Sequence, residues 1–385
     1  MDLSFSSEHE GFRAEVRAFI ARAWSAAADR DKRRFRREAV EAGYLYRGFP
    51  RAYGGAEKPA NLVESAIIAE EFARADAPGE LRGMGTQMLA PTLLHCGAQW
   101  QKERFIAPTL SGEITWCQGY SEPGAGSDLA SLRTRGEMSG DEWVITGQKV
   151  WTSFAKTADF MFALVRTEPE APKHEGLSYL LIDMKQPGID VRPLKQITGE
   201  QEFNEVFLTD VRTPADWIVG ARGAGWRVSR TLLKHERNML GGADRQLALM
   251  QSLVKLAKRR QRDGGPAIKD PLIRDRLAAL LTEAEVQKLS SYTQMTRELK
   301  AQPDALLPLL NKLAASEFNR DVALLAVELI ESDGLFNPGD ARRGDEKWNN
   351  QFMNSLASAI AGGTSNIQRN IIAERGLGLP RADGV

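Results

Sequence analysis

The sequence predicts an α+β chain in three consecutive parts: an N-terminal helical domain over residues 1–113, a central antiparallel β-domain over 114–222 and a C-terminal four-helix bundle over 223–385. Three observations carry this reading. Apolar residues recur at helical spacing in the first third, give way to short β-rich runs broken by Pro and Gly in the middle, and return to long helical stretches in the last third. A chain of 385 residues can also bury a large core and is long for one compact layer, so subdomains are expected.

In the first part, Phe12, Val16, Phe19, Ile20 and Trp24 repeat at helical spacing from about Ser7 to Trp24. Pro50 to Gly55 reads as a turn. Asn61 is placed to cap the helix carrying Leu62, Ala66, Ala69 and Phe72, with Glu64 completing a capping-box-like start. Met84–Leu94 and Trp100–Leu110 continue the helical pattern. In the middle part, Trp143–Thr146, Gly147 and Lys149–Ser153 read as strand, turn and strand, with Trp151, Thr152 and Ser153 on the second strand. Phe160–Val165, Ser178–Asp183, Val191–Leu194 and Glu205–Leu208 are further β-rich runs. No helical pattern separates them, which predicts an antiparallel, meandering sheet. In the last part, Trp226–Arg260, Pro271–Lys300, Leu306–Ile330 and Met353–Leu377 have the lengths of an antiparallel four-helix bundle.

Charge and composition narrow the function. Lys+Arg and Asp+Glu balance at 51 each, which argues against a nucleic-acid or membrane-surface partner. Two cysteines and four scattered histidines supply neither a disulfide framework nor metal-ligand spacing, so no metal is expected. The N-terminus carries acids early and has no apolar run of signal or membrane-span length. A soluble, cytoplasmic protein with organic chemistry is the expectation.

Two features stand out against that background. Trp116–Thr134 is the densest cluster of turn formers and hydroxyls: Pro123, Gly124 and Gly126 permit a tight turn with backbone N–H groups aimed outward, and Ser121 and Ser127 add donors. Its spacing is neither the dinucleotide fingerprint nor the phosphate loop. It suits a dianionic or amide-rich cofactor edge, although a Gly/Pro-rich loop taken alone is more often a plain surface loop. The second feature is Glu236. Leu232, Leu233, Met239 and Leu240 stand at −4, −3, +3 and +4 from it, so it sits in the middle of an apolar helix face. A carboxylate there is desolvated and its pKa rises toward the range of a general base. A structural pairing with Arg237 or Arg230 is the competing reading.

The run Trp116-x-Gln118-Gly119-x-Ser121-Glu122-Pro123-Gly124-Ala125-Gly126-Ser127-Asp128 closely resembles the signature of the acyl-CoA dehydrogenase family, and so does Ile360–Arg375 near the carboxy terminus. The similarity spans essentially the whole chain. It implies the family's fold, whose helical domain, β-domain and four-helix bundle agree with the order above, usually in a tetramer with FAD between subunits. It further implies Gln118, Tyr120 and Ser121 near the isoalloxazine, Ser127 near flavin or the CoA arm, Trp151 packing on the flavin and Ser153 donating toward N5. Thr364 and Asn366 match positions at the ribityl and adenosine portion of FAD, and Ser127 and Arg237 are carried toward substrate. The implied reaction is α,β-dehydrogenation of an acyl-CoA thioester to the trans-2-enoyl-CoA, in fatty acid or steroid side-chain β-oxidation, with an electron-transferring flavoprotein as acceptor.

Two departures from the family pattern matter. In many members the base is a Glu just before the Gly-Thr-Ser of the carboxy-terminal motif, and here that position is Gly362. A second subset, including the isovaleryl and long-chain enzymes, carries the base on the first long bundle helix before an Arg, and Glu236-Arg237 fits that location. The subunit-crossing Arg-x-x-Phe-Gly motif is also missing where Arg259–Pro266 stands, which resembles an actinobacterial-type subset that pairs unlike subunits and acts on bulky steroid-side-chain thioesters. A homodimer, a divergent homotetramer and a heterotetramer with a related subunit all stay open. So do a catalytically reduced partner subunit and a flavin oxidase or monooxygenase on the same scaffold.

Overall fold

The computed structural model describes residues 6–25, 29–59, 61–240, 243–300, 302, 306–332, 345 and 347–380, with the side chains of 233–240, 243–245, 295, 298 and 299 outside the description. Two compact units divide the chain, Met1–Pro193 with Glu202–Leu232, and Leu194–Gln201 with Leu233–Val385.

The first unit opens with helices α1 (Ser7–Ile20), α2 (Lys32–Glu41), α3 (Leu62–Arg74), α4 (Ala90–Cys96) and α5 (Gln99–Ser111). Ser6, Asp31 and Asn61 cap the first three, each side chain accepting from backbone N–H groups that have no intrahelical partner. Glu64, however, pairs with Arg47. Strands β1 (Trp116–Gly119), β2 (Arg135–Ser139), β3 (Glu142–Lys149), β4 (Phe160–Arg166), β5 (Leu177–Asp183), β6 (Ile189–Pro193) and β7 (Asn204–Pro214) form one sheet in the order β1-β4-β2-β3-β7-β6, with β5 also pairing β4.

Helices and sheet are joined by aromatic packing. Phe105 of α5 lies 5.3 Å from Trp116, 5.5 Å from Phe160 and 5.5 Å from Trp217, centroid to centroid. Trp116 Nε1 donates to Thr109 Oγ1 at 2.9 Å, and fully buried Gln101 donates to the carbonyls of Asp216 and Ile218. Buried aromatics with satisfied polar ends make such a seam rigid.

The sheet departs from the antiparallel meander expected of it. β1 runs parallel to β4, Trp116 opposite Phe160 through Gly119 opposite Ala163. Parallel neighbours need a long crossover, normally a helix. Here the loop after β1 and the β2–β3 hairpin supply that length, a route that composition does not reveal. Gly147 is not a turn but a paired residue within the single strand β3, opposite Leu208; the pairing with β7 slips just before it, where Thr146 faces both Thr209 and Asp210 and the extra residue of the bulge belongs to β7. A Cβ there would stand 2.6 Å from the Thr134 backbone. Gly147→Ala is expected to cost about 2 kcal/mol by overpacking, read as a lowered urea midpoint; a wild-type midpoint would show that the position tolerates a side chain. Trp151, Thr152 and Ser153 are not strand residues either, because β3 ends at Lys149 and Trp151 turns into the left-handed region at φ +60°.

The last part is helical: α6 (Gly225–Leu240), α7 (Ala243–Arg259), α8 (Pro271–Leu299), α9 (Leu307–Ile330), α10 (Lys347–Ser358) and α11 (Ser365–Ile371). In the second unit, Leu253 and Leu256, Ile273 and Leu277, Phe318 and Val322, and Trp348 meet in one core contributed by α7, α8, α9 and α10. Two of the long sequence-predicted helices are subdivided. The stretch Trp226–Arg260 comprises α6 and α7, with residues 241–242 outside the described ones. The stretch Met353–Leu377 breaks after Ser358, because Gly362 and Gly363 take φ +64° and +95°, and Thr364 starts a new helix by capping Ile367 N–H.

Candidate functional site

The Ser121–Asp128 loop leaves β1 at Gly119, whose missing Cβ makes room for Met161 Sδ, 2.5 Å from where it would stand. Gln118 is half-buried on the same strand. Tyr120 turns inward: its ring, 5 % exposed, packs edge-on against Phe162 and Tyr179. Glu122 and Ala125 exchange two backbone hydrogen bonds at 3.0 Å, which closes a tight turn with Pro123 and Gly124 at its tip. Pro123, Gly124, Gly126, Ser127 and Asp128 are exposed.

A buried ion pair holds this loop from below. The Glu122 carboxylate accepts from Arg133 N–H at 2.6 Å, Thr134 N–H at 2.8 Å and Lys149 Nζ at 2.9 Å. Lys149 is fully buried. Burial pushes its ammonium down to about 8, with Glu122 opposing the shift. Burial also pushes Glu122 upward, yet Lys149 and the Thr134 and Arg133 donors outweigh it and hold the carboxyl below its ordinary range. Both groups are therefore charged at neutral pH. At the other end of the loop, Arg166 donates to the carbonyls of Ala130 and Leu132, and Asp128 takes Lys173 and the Ser131 hydroxyl. Lys149 escaped notice in the sequence although a signal existed: period two from Trp143 and Ile145 through Gly147 lands Lys149 on the core face.

Next to the loop lies the segment 150–154. Val150 N–H donates to Ser121 O at 2.9 Å, which places Trp151–Ser153 beside Ser121. Thr152 and Asn204 exchange backbone bonds, and Asn204 Nδ2 donates again to Thr152 O at 2.9 Å. This ladder holds two outward aromatics in left-handed conformations, Trp151 at 60 % exposure and Phe154 at 56 %. Ser153 is buried, and Thr152 Oγ1 is buried with no hydrogen-bond partner among the described residues.

Among the predicted cofactor residues, the structure thus brings Gln118, Tyr120, Ser121, Trp151 and Ser153 to neighbouring backbone within one unit; Ser127 lies further along the same loop. Thr364 and Asn366 belong to the second unit. There the Gly362 and Gly363 carbonyls accept from buried Gln368 and Lys312, at 3.1 and 2.7 Å, while Asn366 is exposed in the first turn of α11. Glu236 and Arg237 fall on α6, but their side chains lie outside the described residues.

The features of the first unit fit a flat, polar-edged ligand. Gly124 and Gly126 do not adopt left-handed backbone, and a Cβ at either would meet no protein atom within 4 Å, so the chain itself does not demand glycine there. The backbone there is open to close approach from outside. The exposed indole of Trp151 alongside gives this face stacking capacity. Cys117, whose thiol burial pushes well above its ordinary range, is not a nucleophile here. Among the described residues, no three His, Cys, Asp or Glu side chains are grouped to hold a metal ion, and no helix is long and apolar enough to cross a membrane.

The sequence matches the family models for the acyl-CoA dehydrogenase N-terminal domain over residues 6–113, middle domain over 117–211 and C-terminal domain over 223–377. It is 40 % identical to acyl-CoA dehydrogenase IpdE1 of Mycobacterium tuberculosis, over 97 % of this chain and 98 % of that protein. The ChsE4-ChsE5 complex from Mycobacterium tuberculosis superposes with a TM-score of 0.80 at 28 % identity, covering 99 % of this chain and 100 % of the matched one. The Tcur3481-Tcur3483 steroid ACAD gives the same TM-score, identity and coverage. By sequence and by fold, this chain belongs to the acyl-CoA dehydrogenase family and is an oxidoreductase of that class.

Proposed function

We propose that this chain uses FAD to oxidise the Cα–Cβ bond of an acyl-CoA thioester to the trans-2-enoyl-CoA, with domains over 1–113, 114–222 and 223–385. The observation that carries the reading is the braced Ser121–Asp128 loop beside the outward Trp151, with open space over Gly124 and Gly126. Gln118, Ser121 and Ser153 offer donors to the flavin edge, Tyr120 contributes its backbone, Trp151 covers a ring face, and Thr364 and Asn366 serve the adenosine side. When bound, the flavin accepts the hydride from Cβ.

Removal of the α-proton falls to Glu236. An unaided carboxylate is too weak a base for a thioester α-proton, so donors at the carbonyl oxygen must stabilise enolate character, at about 3 kcal/mol per donor. Ser127 and Arg237 are assigned to the substrate. Two observations support Glu236: its apolar sequence neighbours, and the left-handed φ of Gly362, where any side chain pays roughly 1–2 kcal/mol. A base at position 362 would start from that strain.

For assembly we favour pairing with a related, unlike subunit in a cytoplasmic heterotetramer, with an electron-transferring flavoprotein as acceptor. Arg260 and Arg262, in the segment where the family's subunit-crossing arginine is expected, are engaged at 2.8 Å with Asp345 and Asp270 of their own unit. Two of the structural neighbours are complexes of two named chains. One of these, Tcur3481-Tcur3483, is named a steroid ACAD, which puts bulky steroid-side-chain thioesters beside fatty acyl thioesters as substrates to test.

Anaerobic mixing of the flavin-loaded protein with a panel of acyl-CoAs is expected to bleach the flavin with at least one of them. A flavin-loaded protein bleached by none would overturn the reading. Rapid peroxide formation in air would move it to an oxidase.

A further inference from the structure

We propose that Lys149 is a positioning residue of the cofactor site, its ammonium latching together the two backbone segments that face the ligand while touching no ligand itself. The inference rests on the flavin reading above.

Lys149 is the last residue of β3 and has 0 % exposure, so no atom of it reaches a bound molecule at the surface. Its three N–H groups meet three acceptors on different parts of the chain: Tyr120 O at 3.2 Å where β1 ends, Leu164 O at 2.8 Å on β4, and Glu122 Oε1 at 2.9 Å in the loop. That exhausts an ammonium's donors. Glu122 extends the latch to the N–H groups of Arg133 and Thr134, which follow the loop. One residue beyond Lys149, Val150 N–H binds Ser121 O, and the next residue, Trp151, swings outward. A single buried charge thus ties the start of the loop, its end and the aromatic segment to the middle of the sheet.

Stability alone does not explain this group. Its folded-state pKa of about 8 lies below the ordinary lysine value of about 10.4. The unfolded chain therefore binds the proton more tightly, and the buried ammonium costs stability at neutral pH, a cost relieved as pH rises from about 8 to about 10. Apolar replacements of buried ion pairs are often neutral or stabilising. What an apolar side chain cannot do is orient three acceptors around one point.

The test separates position from stability. FAD affinity of the folded apoprotein and its urea unfolding are measured for wild type, Lys149→Met, Glu122→Gln and the double variant. Lys149→Met is expected to weaken FAD binding about tenfold or more. The double variant, which removes both buried charges, is expected to regain the unfolding midpoint without regaining the affinity. It carries the test alone if a single variant does not fold. Wild-type affinity in Lys149→Met, or affinity that returns with stability in the double variant, overturns the proposal. A wild-type protein with no FAD affinity overturns the flavin reading itself, a result distinct from variants that bind as wild type does.

Discussion

Glu236→Gln is expected to keep FAD bound with its normal affinity and to slow anaerobic flavin bleaching by acyl-CoA by about a hundred- to ten-thousand-fold, the usual worth of a general base. The substitution is nearly isosteric, so side-chain volume is kept while proton-accepting capacity is removed. Rapid-mixing absorbance measures the effect directly, and equilibrium titration of the same variant separates chemistry from binding. Unchanged reduction kinetics would sink the assignment of Glu236 as base. Loss of flavin instead of rate would make Glu236 a structural partner of a neighbouring arginine, the competing reading of the same residue.

The second large effect belongs to the helical part of the first unit. Glu71 on α3 is 2 % exposed and accepts from Arg13 at 2.8 Å, from Arg17 at 2.9 and 3.1 Å, and from Arg74. Arg13 is itself buried, so Glu71→Ala leaves a charge under the surface with the more exposed Glu70 and Glu10 as close acids. A cost of about 3 kcal/mol is expected, read as a lower urea midpoint with an unchanged slope; a shift below about 0.5 kcal/mol would show that the network contributes no more than a surface pair. The pH dependence has a defined sign. Burial pushes the Glu71 carboxyl up, but Arg17, Arg13 and Arg74 together hold it below its ordinary value. Its stabilisation is therefore complete above about pH 4.3, the unfolded value, and is lost as pH falls through the folded-state pKa. Glu71→Gln is expected to flatten that acid limb.

The N-terminal helices were legible because their signals are local. Asn61 caps α3 as its side chain and neighbours predict, and the apolar spacing of Phe12, Val16, Phe19 and Ile20 marks α1 without any knowledge of what it packs against. The sheet was less legible. That β1 pairs with β4 depends on a partner some forty residues away and on the hairpin lying between them, which no local window contains. Lys149 shows the same limit at the level of one residue: a lysine in a β-rich run reads as solvent-facing until its alternation with Trp143 and Ile145 is followed through Gly147. Trp151 reads as a strand residue because indoles favour strands, and only its left-handed backbone shows that it stands outside the ladder.

The sequence by itself determined the family, the order of helical and β parts, the Ser121–Asp128 loop and the absence of an acid at position 362, because each is written in contiguous residues. The tertiary structure decided that Glu122 and Lys149 brace that loop from inside the sheet, that Val150 joins the loop to the Trp151 segment, and that the Gly362–Gly363 break starts a new helix rather than bending an old one. The physical reason is the same in each case. A buried charge, a parallel ladder or a left-handed break is stable only through partners distant in the chain, and their positions exist only once the chain has folded.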